Sequence, residues 1–111
     1  MQEKLIDFEM AMERLGGDKE FLVELLEELI QQVDESLPDI KQAVQTKSFT
    51  ELRSLAHGLK GASANLNADR MASALKQLEN MGLEGSVDGA EEYIEIVEVA
   101  NNKLREYLQN I

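Results

Sequence analysis

His57 is the only histidine in a 111-residue chain that contains no cysteine, so nucleophilic chemistry on nitrogen or sulfur has one obvious place to begin. An ordinary imidazole, with a pKa of about 6.5, is largely neutral at physiological pH and is then a good nucleophile. Its neighbours in sequence are unusual. On a helical projection Arg53, Lys60, Gly61 and Ala64 fall within roughly 60° of His57, giving one strip with two cations, the ring and two very small residues. Lys60, one turn on, places an ammonium where it can reach an anionic group such as phosphoryl carried by the ring. Gly58 and Gly61 each cost a helix interior about 1 kcal/mol relative to alanine. Two readings of these glycines stand: a helix break or close helix crossing, or a surface cleared so that another protein can approach the ring for in-line transfer.

Other chemistries find less material. Gly58-Leu59-Lys60-Gly61 lies in mid-helix, where backbone amides are already bonded and cannot cradle a nucleotide, so no ATP binding or autophosphorylation is expected. No serine, histidine and aspartate set suggests a hydrolase triad. One histidine without cysteine falls short of a zinc site. Glu84, Ser86, Asp88, Gly89 and Glu95 imitate a calcium loop, but the first position lacks aspartate and Glu91 takes the usual apolar place. The expectation is no metal and no cofactor.

The elements that would position His57 are all helical. Leu5, Phe8, Met12 and Leu15 mark a first short helix over Glu3 to Arg14, stopped by Gly16-Gly17. Asp18 is placed to cap a long second segment with one apolar face from Phe21 to Val44, in which Pro38 predicts a kink or two helices in tandem. Ser48 to Glu51 has the form of a capping box opening a helix to about Leu66. In that helix Leu52, Leu55, Leu59, Ala62 and Leu66 form a narrow apolar seam, and His57 points roughly 170° away from it, outward. Asn67 either caps the next helix or takes positive φ, and Met71, Ala74, Leu75 and Leu78 supply the buried stripe before Gly82 and Gly85 loosen the chain. A last helix from near Ser86 presents Ala90, Ile94, Val97, Leu104, Leu108 and Ile111. Short connections between amphipathic helices predict an all-α, antiparallel helical bundle, one domain over residues 1–111.

Composition narrows the partners. With 22 acidic residues against 11 basic and a net charge of -11, the averaged field repels phosphate backbones and anionic membranes, so nucleic acid is not expected. No apolar run is long enough to cross a bilayer. The polar stretch Met1 to Asp7 lacks the order of a secretion signal, and the lack of cysteine suits a reducing cytoplasm.

Ala56-His57-Gly58-Leu59-Lys60-Gly61-Ala62-Ser63-Ala64-Asn65-Leu66 resembles the signature of histidine-containing phosphotransfer (HPt) domains: histidine, a variable residue, an aliphatic residue, lysine, glycine, then small residues. Phe21 to Leu26 and Leu75 to Glu79 look like the family's preceding and following helices, so nearly the whole chain is covered. The resemblance implies a four-helix bundle with an extra N-terminal helix and His57 as phosphoacceptor. It implies Lys60 as charge stabiliser and Gly61 as clearance, and the helix-face reading adds Gly58 and Ala64 as clearance and Arg53 with Lys60 as a docking surface. Glu79 falls where the family often has a polar residue that hydrogen-bonds the imidazole and fixes its tautomer; it reads equally as a solvated glutamate. The family usually has glycine where this sequence has Asn67, the next most tolerant residue for positive φ. The implied function is a phosphorelay carrier, not an enzyme in its own right: a cytoplasmic monomer that takes phosphoryl from a receiver-domain phosphoaspartate and gives it to another receiver. Its partners would be response-regulator receiver domains and a hybrid sensor histidine kinase, with any magnesium belonging to them. The alternative is an adaptor, a helical bundle that binds signalling partners without chemistry.

Overall fold

The computed structural model describes residues 3–111, in five helices and without a strand among them. Met1 and Gln2, where the polar N-terminal stretch begins, lie outside the described residues.

The helices are α1 (Phe8–Arg14), α2 (Lys19–Thr46), α3 (Phe49–Asn65), α4 (Asp69–Glu84) and α5 (Ala90–Gln109). Aspartates start the first two: Asp7 Oδ1 accepts from Met10 N at 3.2 Å and Asp18 Oδ1 accepts from Phe21 N at 3.0 Å. These side chains satisfy amides that a helix start leaves unpaired. Gly16 and Gly17 take positive φ and turn the chain from α1 into α2. The expected capping box does not form. The Ser48 hydroxyl instead lies 2.8 Å from Thr46 Oγ1, and α3 has no side-chain cap.

Pro38 does not divide α2, which runs unbroken from Lys19 to Thr46. Both Pro38 and Asp34, whose carbonyl loses its helical partner, are exposed, so water can satisfy that carbonyl. Asn67 takes the left-handed φ of +56° between α3 and α4, as one of its two sequence readings required.

Helices α2, α3, α4 and α5 contact one another in a closed ring, with α3 against α4 the most extensive pair, and α1 packs on α2. Consecutive helices in that ring are neighbours joined by turns, which makes the bundle antiparallel. Its centre holds Leu22, Leu26, Leu29, Val33, Ile40, Leu52, Met71, Leu75, Leu78, Val97 and Leu104, all fully buried or nearly so. Phe21 and Ile111, assigned to apolar faces by periodicity, are exposed at the surface. The last helix begins at Ala90 rather than near Ser86, because Gly89 at positive φ is its N-cap and Ala90 N closes a turn on Val87 O.

Two polar ties fix the frame. The N-terminal segment crosses the α3–α4 turn through Asp7 N to Asn67 O (2.8 Å) and Arg70 N to Lys4 O (2.8 Å). Buried Asn101 donates to Asp34 Oδ1 at 2.9 Å, and Arg105 donates to both oxygens of the same carboxylate, locking α5 to α2. No helix among the described residues is long and apolar enough to cross a membrane.

Candidate functional site

The buried line of α3 is Leu52, Ala56, Leu59, Ser63 and Leu66, while Leu55 and Ala62 are only half-buried. Compared with the seam drawn from hydrophobicity, the helix is turned by roughly 40° toward α4. Two small residues, Ala56 and Ser63, lie on that buried line, and the Ser63 hydroxyl donates to Leu59 O of its own helix at 2.8 Å. The rotation keeps His57 outside, with 68% of its side chain exposed, but brings one edge of the ring to α4.

That edge meets Glu79. His57 Nδ1 lies 2.5 Å from Glu79 Oε2, and Lys60 Nζ donates to Glu79 Oε1 at 2.7 Å. Glu79 is therefore not the solvated glutamate of one reading: only 8% of the residue is exposed, and both carboxylate oxygens are engaged by α3. The hydrogen bond from Lys60, then that from His57, hold its carboxyl below the usual carboxylate range. An ionised carboxylate only accepts, so Nδ1 must carry the ring proton, and in the neutral ring the lone pair is left on Nε2.

The strip around the ring is open. A Cβ built on Gly58 or on Gly61 would meet nothing within 4 Å, so neither glycine marks a helix crossing, and α3 passes both without a break. Ala64 is exposed on the same side. Arg53, also exposed, lines with Thr50, Ser54, His57 and Glu79 a cleft of about 340 Å³. Among the described residues Arg53 makes no ion pair, whereas Lys60 is already bound. Thr50 and Ser54 were not singled out from sequence, although they stand seven and three residues before His57, on its helix face.

Gly82 was read as loosening the end of α4 and does something else. A Cβ there would come within 2.8 Å of Arg53 Cβ, Arg53 N and Phe49 O. It is the residue that lets α4 lie against the first half of α3, and so sets the height at which Glu79 meets His57. No group of three or more metal-ligating side chains occurs among the described residues.

Comparison with known proteins fits this geometry. The Hpt domain family matches residues 24–111. Multistep phosphorelay regulator 1 of Schizosaccharomyces pombe is 31% identical over 91 residues, covering 78% of this chain and 31% of the regulator's length. The chain thus spans about a third of that relative. The crystal structure of histidine-containing phosphotransfer protein B from Pseudomonas aeruginosa superposes with a TM-score of 0.84 at 24% identity, over 96% of this chain and 92% of the other, a likeness of fold. This chain belongs to the Hpt domain family. Membership carries a histidine phosphotransfer role in phosphorelays.

Proposed function

We propose that His57 is the phosphoacceptor and that the chain carries phosphoryl between receiver domains. The observation that supports this most directly is an exposed ring whose inner nitrogen is tied to Glu79, leaving Nε2 facing solvent over glycines that nothing packs against. In the forward step the Nε2 lone pair attacks the phosphorus of a receiver phosphoaspartate. The Nε2–P bond forms as the P–O bond to the aspartyl carboxylate breaks, and that carboxylate leaves with the electron pair. The ring keeps its Nδ1 proton and becomes a phosphoimidazolium whose positive charge faces the Glu79 carboxylate. In the second step an aspartate of another receiver attacks phosphorus and the electron pair returns to Nε2.

The other residues serve this exchange. Gly58, Gly61 and Ala64 admit the partner's surface, and Arg53, beside the ring and unpaired, offers a cation to an acidic receiver site. Lys60 supports the phosphoryl charge. A receiver domain and a hybrid sensor kinase are the partners this scheme calls for, with a cytoplasmic monomer as the carrier and the whole acting as one domain.

Incubation with a labelled phosphorylated receiver tests the scheme. Wild type should acquire acid-labile, base-stable label, and His57→Gln none. Label that persists on His57→Gln, or label that is acid-stable, would place the acceptor elsewhere.

A further inference from the structure

Glu79 uses its two oxygens on two different partners. Oε2 takes His57 Nδ1 at 2.5 Å and Oε1 takes Lys60 Nζ at 2.7 Å. The cation expected to wait for a phosphoryl group is thus already committed to a carboxylate on the neighbouring helix, with only 28% of its side chain exposed. A neutral amide at this place could orient the ring equally well, but it would leave the ammonium uncompensated and would not offset positive charge on the ring.

Resting on the phosphocarrier reading, we propose that Glu79 is a two-armed positioning residue that keeps the phosphorylated ring ready to discharge, one arm retaining the Nδ1 proton and the other competing with phosphoryl oxygens for Lys60. When the Nε2–P bond breaks, its electron pair returns to Nε2. If Nδ1 still carries its proton, the group that leaves is neutral imidazole; if the proton has gone to solvent, the group would be imidazolate, a far poorer leaving group. A carboxylate at Nδ1 favours retention of that proton. The second arm acts in the same direction. An ammonium whose charge is already partly offset by Oε1, and one of whose three donors is spent there, has less to offer phosphoryl oxygens, so Glu79 holds down the stability of the loaded state. The charged groups that face the pair are Lys60 and Arg53 on α3, and the charges acting on the carboxylate are Lys60 and His57. The pKa of Glu79, lowered first by the hydrogen bond from Lys60 and then by that from His57, agrees with both arms being engaged.

The test loads the full chain with phosphoramidate, a small phosphoryl donor, and follows phosphohistidine by ³¹P NMR across pH. Wild type should discharge readily through neutral pH. In Glu79→Gln the fall-off in discharge should move to lower pH by about one unit, so that hydrolysis near neutrality is roughly tenfold slower and more phosphohistidine accumulates. Lys60→Gln removes one arm only: its pH profile should follow wild type, while its steady level of phosphohistidine drops. Superimposable pH profiles for wild type and Glu79→Gln, with both folded by thermal melt, would overturn the proposal and leave the carrier function intact. Absence of acid-labile label on wild type, from phosphoramidate and from a phosphorylated receiver alike, would instead overturn the carrier function and the proposal with it.

Discussion

Two kinds of glycine lie on the α3–α4 pair, and they are there for opposite reasons. Gly82 faces α3, where a single added carbon would come within 2.8 Å of Arg53 and of the Phe49 carbonyl. Gly58 and Gly61 face outward beside His57, where an added carbon would touch nothing. The first is required by packing. The other two give up about 1 kcal/mol each of helix stability with no return in the folded chain, which is what the proposed close approach of a partner would account for. An identical residue type, one turn of helix from the same ring or across from it, thus separates what builds the site from what uses it.

The sharpest way to break this comparison is to fill Gly82. Two of the three atoms in the way belong to backbone, which cannot rotate aside, so Gly82→Val should force α3 and α4 apart. A loss of about 1–3 kcal/mol or more in urea unfolding is expected, with transfer falling because Glu79 no longer meets the ring. Unchanged stability would mean that the crossing tolerates more space than the geometry allows.

Gly61 should behave in reverse. Gly61→Ala should raise stability by about 1 kcal/mol, since it adds helix propensity in open space. Gly61→Leu should also keep the fold, yet slow transfer from a receiver by tenfold or more, since small displacements of reacting atoms carry large rate penalties, roughly 10²-fold for 1 Å. Stopped-flow or gel assays of transfer, set beside urea curves, separate the two effects. Transfer that stays at the wild-type rate in the leucine variant would end the clearance argument.

The sequence made the exposed strip legible and left the crossing hidden, for a physical reason. Outward direction follows from helical periodicity alone, so His57, Lys60, Gly61 and Ala64 could be placed together without knowing any neighbour. Close approach depends on which helix comes nearest, and there the apolar seam misleads: it took in Leu55 and Ala62 and left out Ala56 and Ser63, which the fold buries. The resulting error of roughly 40° is small for the fold but decides whether His57 reaches Glu79. Gly82 looked like a helix terminator for the same reason, because nothing in its own segment reveals the facing backbone. The Asn101–Asp34–Arg105 tie also went unseen, since its members stand 67 and 71 residues apart. Helix order needed no such information; helix number was left open only at Pro38, where two helices in tandem were one expectation and α2 instead runs unbroken.

The smallest effect concerns the carboxylate that spans the two regions. Glu79 is more acidic folded than its ordinary value of 4.5, first through Lys60 and then through His57. A group depressed in this way binds protons less readily folded than unfolded, so its contribution to stability is complete above about 4.5 and is lost as pH falls through the folded-state value. Asp69 moves the other way, raised chiefly by burial and then by Asp7 and Glu3, so its protonation relieves the folded state in acid. Asp69 is present in wild type and in Glu79→Gln alike, and its contribution cancels in their difference. The stability gap between the two proteins, measured by urea unfolding at successive pH values, should therefore close progressively below about pH 4.5. A gap that stays constant into acid would mean that the charge on Glu79 contributes nothing to holding α4 on α3, and that the carboxylate serves the ring alone.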